Sequence, residues 1–278
     1  MNAARLSRAA PRGGARGPWS RPWVWMLLGL LQGAIPAGAQ HPEPAPELAL
    51  LAAARESQIR DLAAWREYRF LRDVERRRLG RGGEWELVER LQLRVEPRGE
   101  GFTETLLRID GRAPTSAEVA KHRQAGRFAK HYESVIAGRA EEIDEGYALA
   151  DLLTLPSYRP SGREEVDGVR CLRFDFDPAP ESPGGLAGRV ARASAGTLWL
   201  TEDGHLVQAL AHTVDTVRFA SGLVRIPHLE VRYVARQVDA GVWLPYEIAL
   251  ESEISIFGNG TVRRNRYRYS AFERARGE

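Results

Sequence analysis

Cysteine is nearly missing from this chain. Cys171 is the only one, so no intramolecular disulfide and no cysteine-based zinc site can form. Set between Arg170 and Leu172 in a strand-like stretch, it reads as a small core hydrophobe. Catalytic patterns are missing too. The six histidines are His41, His122, His131, His205, His212 and His228, and none belongs to a His-Glu-x-x-His pair. His122 and His131 fall on different faces of a polar helix, which speaks against a shared metal. His212 and His228 read as satisfied or exposed side chains. No serine sits in a Gly-x-Ser-x-Gly elbow, and Ser182-Pro183-Gly184-Gly185 is loop punctuation, not a phosphate loop. Asp175 and Asp177 share a strand face with Arg173, a charge-balanced surface. The sequence therefore leads us to expect no enzyme, no catalytic residue, no metal site and no cofactor.

Acidic residues are absent from the first 39 positions, which carry Arg5, Arg8, Arg12, Arg16 and Arg21. An apolar stretch from Trp23 to Leu31 continues through Ile35, and Ala37-Gly38-Ala39 supplies a small-x-small cleavage pattern. We expect residues 1–39 to be a cleaved secretory signal. The apolar run falls short of the roughly 20 residues that a spanning helix needs. No twin-arginine pair precedes it, which favours the general secretion route. Gln40, not cysteine, follows the expected cut, so the exported protein should be soluble in the periplasm and not lipid-anchored. The formal net charge of +3 includes those five arginines, so residues 40–278 carry −2. That removes the basic footprint a nucleic-acid partner requires and leaves membrane contact at most peripheral. Lysine is scarce as well, with Lys121 and Lys130 the only two among 40 basic residues, a bias of GC-rich coding.

What is present is strand periodicity. The remaining chain of about 240 residues suits one sizeable core, and no long linker divides it, so 40–278 is expected to be a single domain and a monomer. Gln40 to Pro46 is proline-rich. Leu48, Leu51, Ala52, Ile59 and Leu62 then recur at helical spacing to about Trp65. Beyond it the period becomes two. Tyr68 to Val74, Trp85 to Val95 and Phe102 to Ile109 read as strands separated by Gly80 to Gly83 and ended by Asp110-Gly111. Thr115 and Glu118 have capping-box spacing before a polar helix to about Val135, and a short helix is expected near Tyr147 to Leu153. Strands resume at Arg163 to Val166, Val169 to Phe176, Gly196 to Thr201, Leu206 to Phe219, Val224 to Val238, Trp243 to Phe257 and Thr261 to Phe272. Pro178 to Gly188 reads as a loop. Turns at Asp167-Gly168, Asp203-Gly204, Asp239 to Gly241 and Gly258-Asn259-Gly260 favour antiparallel hairpins; the Asn259-Gly260-Thr261 glycosylation pattern is explained by its turn. The fold class expected is mainly β with helices: a long antiparallel meander forming a half-open, unclosed β-barrel, covered by an N-terminal helix and a helical insertion.

Two surfaces attract functional interest. Apolar stripes run along Trp85, Leu87, Leu91 and Leu93, and along Ile248, Leu250, Ile254 and Ile256. In a filled sandwich these are core; in a half-open barrel they line a cavity for acyl chains. In the C-terminal hairpin, Arg264, Arg266 and Arg268 share a face and oppose Glu247, Glu251 and Glu253, a pattern of cross-strand ion pairing or of a basic surface for anionic headgroups.

The ordered pieces resemble a known group. The helical segment after Arg108-Ile-Asp-Gly-Arg-Ala-Pro-Thr-Ser-Ala-Glu118, the strand bearing Gly196-Thr-Leu-Trp-Leu-Thr-Glu-Asp-Gly204, and the segments Gly168-Val-Arg-Cys-Leu-Arg-Phe-Asp-Phe-Asp177 and Gly241-Val-Trp-Leu-Pro245 resemble the outer-membrane lipoprotein-sorting group. Those are the LolA-like and LolB-like periplasmic carriers, here closest to uncharacterised acidobacterial-type members. The likeness covers most of 47–273 and implies an unclosed barrel capped by helices, with an apolar cavity for lipid moieties. The expected function is a non-enzymatic periplasmic carrier or chaperone whose partner is a lipid or lipoprotein acyl chain. The alternative is a structural or signalling cell-envelope module that contacts another protein through the same fold.

Overall fold

The computed structural model describes residues 46–98, 101–123, 153, 157–179, 185–219 and 222–275. The expected signal segment, and most of the expected helical insertion beyond 123, lie outside the described residues. In chain order the elements are α1 (Pro46–Trp65), β1 (Tyr68–Leu79), β2 (Trp85–Arg98), β3 (Gly101–Ile109) and α2 (116–123). They continue with β4 (Ser157–Val166), β5 (Val169–Asp177), α3 (Gly185–Ala193), β6 (Ser194–Thr201) and β7 (Leu206–Thr213). The chain ends through β8 (Val217–Phe219), β9 (Val224–Asp239), β10 (Val242–Ile256) and β11 (Asn259–Arg274).

All eleven strands form one antiparallel sheet in the order β3-β2-β1-β11-β10-β9-β7-β6-β5-β4, with β8 paired to β9 beside β7. The sheet does not close: β3 and β4, consecutive in the chain, are its two edges. Hairpins supply most of the connections, as the turn residues demand. Asp110 and Asp167 take φ of 50°, each followed by a glycine at positive φ, the backbone that two-residue hairpin loops need.

α1 covers one face, called here the inner face. Its alanine-rich sequence favours helix, and its buried stripe is Leu51, Ala54, Gln58, Asp61 and Trp65, with Ser57 beside it. This differs from the expected stripe, because Ile59 is 48% exposed and Ala52 is exposed. Helical spacing fixes which face turns inward, and here that face is half polar. The core forms two clusters. One packs Leu51 and Ala54 against Phe174, Leu198, Leu200 and Tyr233, and also takes in Leu153. The other surrounds Trp65, whose ring lies 5.7 Å from Phe70, 6.0 Å from Phe102 and 5.7 Å from Tyr269.

Four local features depart from the sequence reading. β4 begins at Ser157, not Arg163. The expected loop before Gly188 gives way to α3, which starts at Gly185; its glycines weaken the helix signal. The expected single strand from Leu206 to Phe219 breaks at 214–216, because the Val214 N–H leaves the ladder and donates to Ala193 O at the end of α3, 2.6 Å away. The last hairpin turns on Phe257-Gly258, not on Asn259-Gly260: Ile256 pairs with Asn259, and Phe257 takes φ of 51°. That register places Glu251 opposite Arg264 and Glu247 opposite Arg268.

Candidate functional site

Register assigns each expected lining residue to a face, since directly paired residues share one. Leu93 pairs with Leu106 and Leu91 with Ile109 on the inner face, where Leu91 and Leu93 are 5% and 1% exposed within the Trp65 cluster. Between Glu89 and Leu87 the pairing with β1 slips by one residue. This bulge sends Leu87 and Trp85 to the outer face. Leu87 pairs with Arg77 and is 45% exposed, while Trp85 lies beneath the Arg264 guanidinium at 4.3 Å. The single stripe read from Trp85 to Val95 is thus two half-stripes on opposite faces. Ile248, Leu250 and Ile254 share the inner face, and Ile256 stands at the hairpin end, 39% exposed.

An apolar cavity of about 70 Å³ opens on that inner face. Its floor is Phe176, Leu198, Ala209, Ala211, Val231 and Tyr233, Val190 of α3 stands over it, and Ser194, His212 and Leu229 complete the lining. Ile248 pairs directly with Tyr233 and Leu250 with Val231, which puts these two expected residues on the neighbouring strand, beside the cavity and outside its lining. Gly196 shapes the same floor: a Cβ there would meet the Phe176 ring at 2.7 Å. Sequence reading missed the β5–β9 part of the site, whose alternating Phe174, Phe176, Leu198, Ala209 and Ala211 carry a signal no different from that of any buried strand face.

At the other end of the inner face, polar groups hold α1 down. Ser57 Oγ donates to Gly204 O at 2.6 Å, and Gly204 has φ of 82°. A side chain at Gly204 would meet Ala53 and Ala54 at 3.0–3.1 Å, so the β6–β7 turn and the helix approach as closely as glycine allows. Asp61, 3% exposed, accepts the Trp243 N–H at 3.1 Å, and its second oxygen is 3.3 Å from His205 Nδ1. Burial raises its carboxyl above the ordinary 3.8, against the pull of the Trp243 N–H and His205. Gln58 stands beside the Tyr233 hydroxyl, and burial pushes the pKa of that phenol up and keeps it protonated. His205 stacks on Trp243 with ring centroids 5.8 Å apart.

Cys171 is 3% exposed, and burial pushes its thiol up to about 11. Among the described residues no group of His, Cys, Asp or Glu is arranged to hold a metal ion. No described helix is long and apolar enough to cross a membrane.

The outer face carries rows of charge. Arg264 meets Glu251 at 2.6 Å, while Arg266 and Arg268 both reach Glu247, at 3.3 Å and 3.1 Å. The ion pairing expected in the C-terminal hairpin is therefore formed, except that Glu253 faces Val262.

No protein-family model matches the chain. No curated protein matches it. Solved structures are similar. An outer membrane lipoprotein-sorting protein domain from Vibrio parahaemolyticus is 10% identical, with 80% of this chain and 91% of that one covered and a TM-score of 0.35. A DUF1329 family protein from Desulfovibrio piger is 11% identical, with 81% and 92% covered and a TM-score of 0.32. The MucA/MucB complex of Pseudomonas aeruginosa gives 10% identity, 84% and 100% coverage and a TM-score of 0.23. These superpositions are too loose to define residue correspondences, and none bears on the acidobacterial-type likeness.

Proposed function

We propose that this protein is a non-enzymatic periplasmic carrier that holds a lipid or lipoprotein acyl chain against the inner face of its sheet. The observation that supports this reading is the cavity beneath α3, lined mainly by apolar side chains, with Ile248 and Leu250 on the strand next to its Tyr233 and Val231. In the form described it takes up about 70 Å³, whereas pockets for drug-sized ligands occupy roughly 300–1,000 Å³. Loading therefore requires α3 to lift. Its tethers include Arg189 donating to Arg218 O at 2.9 Å, the Ala179 N–H donating to Ala191 O at 3.2 Å and the Val214 N–H donating to Ala193 O at 2.6 Å. Apolar burial supplies the driving force, at about 0.8 kcal/mol per methylene transferred.

A fluorescent fatty acid titrated into the purified protein tests this. Saturable binding that Ala211→Trp weakens at least about tenfold supports an acyl site, since the added ring fills the cavity. Binding unchanged by that substitution, or no uptake at all, refutes it. A single stoichiometric protein partner captured without lipid would instead favour an envelope module.

A further inference from the structure

The outer face, on the side of the sheet opposite α1, holds a groove of about 410 Å³. Strand register builds it. Arg108, Gln92, Asp73 and Arg268 stand in one row across β3, β2, β1 and β11, and Arg90, Glu75 and Arg266 form the next row across β2, β1 and β11. All seven line the groove.

A plain surface ladder would pair each cation with its own carboxylate. Here the carboxylates are shared or spent. Glu75 serves both Arg77 at 2.7 Å and Arg90 at 3.1 Å, and these partners outweigh its burial and hold its carboxyl below the ordinary range. Glu247 serves both Arg266 and Arg268. Asp73 accepts the Gln92 amide at 3.0 Å, and Asp110 at the rim accepts the Arg90 backbone N–H at 2.8 Å. Arg108 makes no ion pair among the described residues. With Arg77, Glu247 and Asp110 all counted, positive charge still exceeds negative. Each guanidinium has five donors in a planar fork, matched to tetrahedral oxyanions, and most of these donors are unused.

We propose that this groove binds a phosphate-bearing anion, with Arg108 as its free fork and Arg90 and Arg268 as flanking donors. A phosphate presents at least three acceptor oxygens to the surrounding forks, where a carboxylate presents two. The opening is wide enough for the phosphate to arrive on a larger body, either a soluble phosphate compound or a headgroup at a lipid surface. The site lies on the face opposite the apolar cavity, so it stands or falls independently of acyl binding.

The test uses two probes on the purified protein: inorganic pyrophosphate by calorimetry, and phosphatidylglycerol vesicles in a phosphatidylcholine background by co-sedimentation. Arg90→Gln with Arg108→Gln removes two exposed forks from the groove. Arg163→Gln with Arg170→Gln, on exposed positions of β4 and β5, removes the same charge elsewhere. The groove pair is expected to weaken binding at least about tenfold, and the control pair less than about twofold. Groove-dependent binding of pyrophosphate identifies a soluble phosphate as the source; groove-dependent binding of vesicles alone identifies a headgroup. Failure to bind either probe, or equal weakening by the control pair, overturns the proposal.

Discussion

Asp61 on α1 accepts the backbone N–H of Trp243 on β10, 182 residues away, at 3.1 Å. The bond is buried and ties the covering helix to the middle of the sheet. A helix held by apolar side chains alone slides easily along a smooth face, whereas a directional bond fixes its rotation and depth.

Asp61→Ala leaves the Trp243 N–H unpaired in a buried setting and is expected to cost about 1–3 kcal/mol in urea unfolding. Asp61→Asn keeps an acceptor and should cost less than the alanine variant. The raised carboxyl also sets a pH dependence. The unfolded chain releases its proton near 3.8 and the folded protein only at higher pH, so this group's contribution to stability falls as pH rises through that window. The wild type should therefore gain on the Asn variant as pH is lowered toward 4. A constant difference between the two would contradict the assignment.

Glu118 works in the opposite direction. It accepts the Thr115 N–H at 2.8 Å and two Arg112 bonds at 2.9 and 2.6 Å, while Thr115 Oγ1 accepts the Glu118 N–H at 3.3 Å. This is the capping box read from the sequence. The Arg112 bonds, then Thr115, hold its carboxyl down from 4.5 to about 2. Its stabilisation of the start of α2 is present above pH 4.5 and lost as pH falls toward 2. The hydrogen-exchange protection factor of the Val119 amide, which bonds Thr115 O at 3.0 Å, should fall across that interval in the wild type and be low throughout in Glu118→Ala.

The last hairpin carries strain where the sequence offered an easier turn. Phe257 sits at φ of 51° with 74% of its surface exposed. A left-handed backbone costs a non-glycine residue roughly 1–2 kcal/mol. Phe257→Asn should therefore stabilise the protein by about 0.5–1 kcal/mol and raise its Tm. A lower Tm would mean that the ring makes contacts of its own.

Gly196 has no such freedom to spare. The methyl of Gly196→Ala would run into Leu210 O and the Phe176 ring, so the backbone of β6 must shift, at a cost of about 1–3 kcal/mol. The same shift narrows the apolar cavity, and fatty-acid uptake should weaken in parallel. Normal stability with normal uptake would argue against the floor described.

Much of the fold was legible because strands and turns obey local rules. Asp110-Gly111 and Asp167-Gly168 turned where expected, and β9, β10 and β11 lie within a few residues of their sequence bounds. Apart from α3, whose glycines hide its helix locally, the departures at β2 and α1 arise where tertiary contacts overrode local pattern. Trp85 and Leu87 keep the odd-numbered alternation of Leu91 and Leu93, and nothing in that alternation marks the bulge that turns them outward. The α1 stripe was hidden because Ser57, Gln58 and Asp61 are buried through bonds to Gly204 and Trp243, or by facing Tyr233, all distant in sequence. Of the expected residues, Ile248 and Leu250 come no nearer than the strand beside the cavity, paired with Tyr233 and Val231. The floor lies on β5, β6, β7 and β9, where buried apolar residues look the same whether they fill a core or face a hollow.

Photo-crosslinking with a diazirine fatty acid, followed by peptide mapping, tests the carrier reading most directly. The account predicts adducts on Ala209, Ala211, Val231, Tyr233, Ile248 or Leu250, suppressed by excess unlabelled fatty acid. Adducts confined to outer-face residues such as Trp85 and Leu87, or labelling that competitor does not reduce, would contradict it.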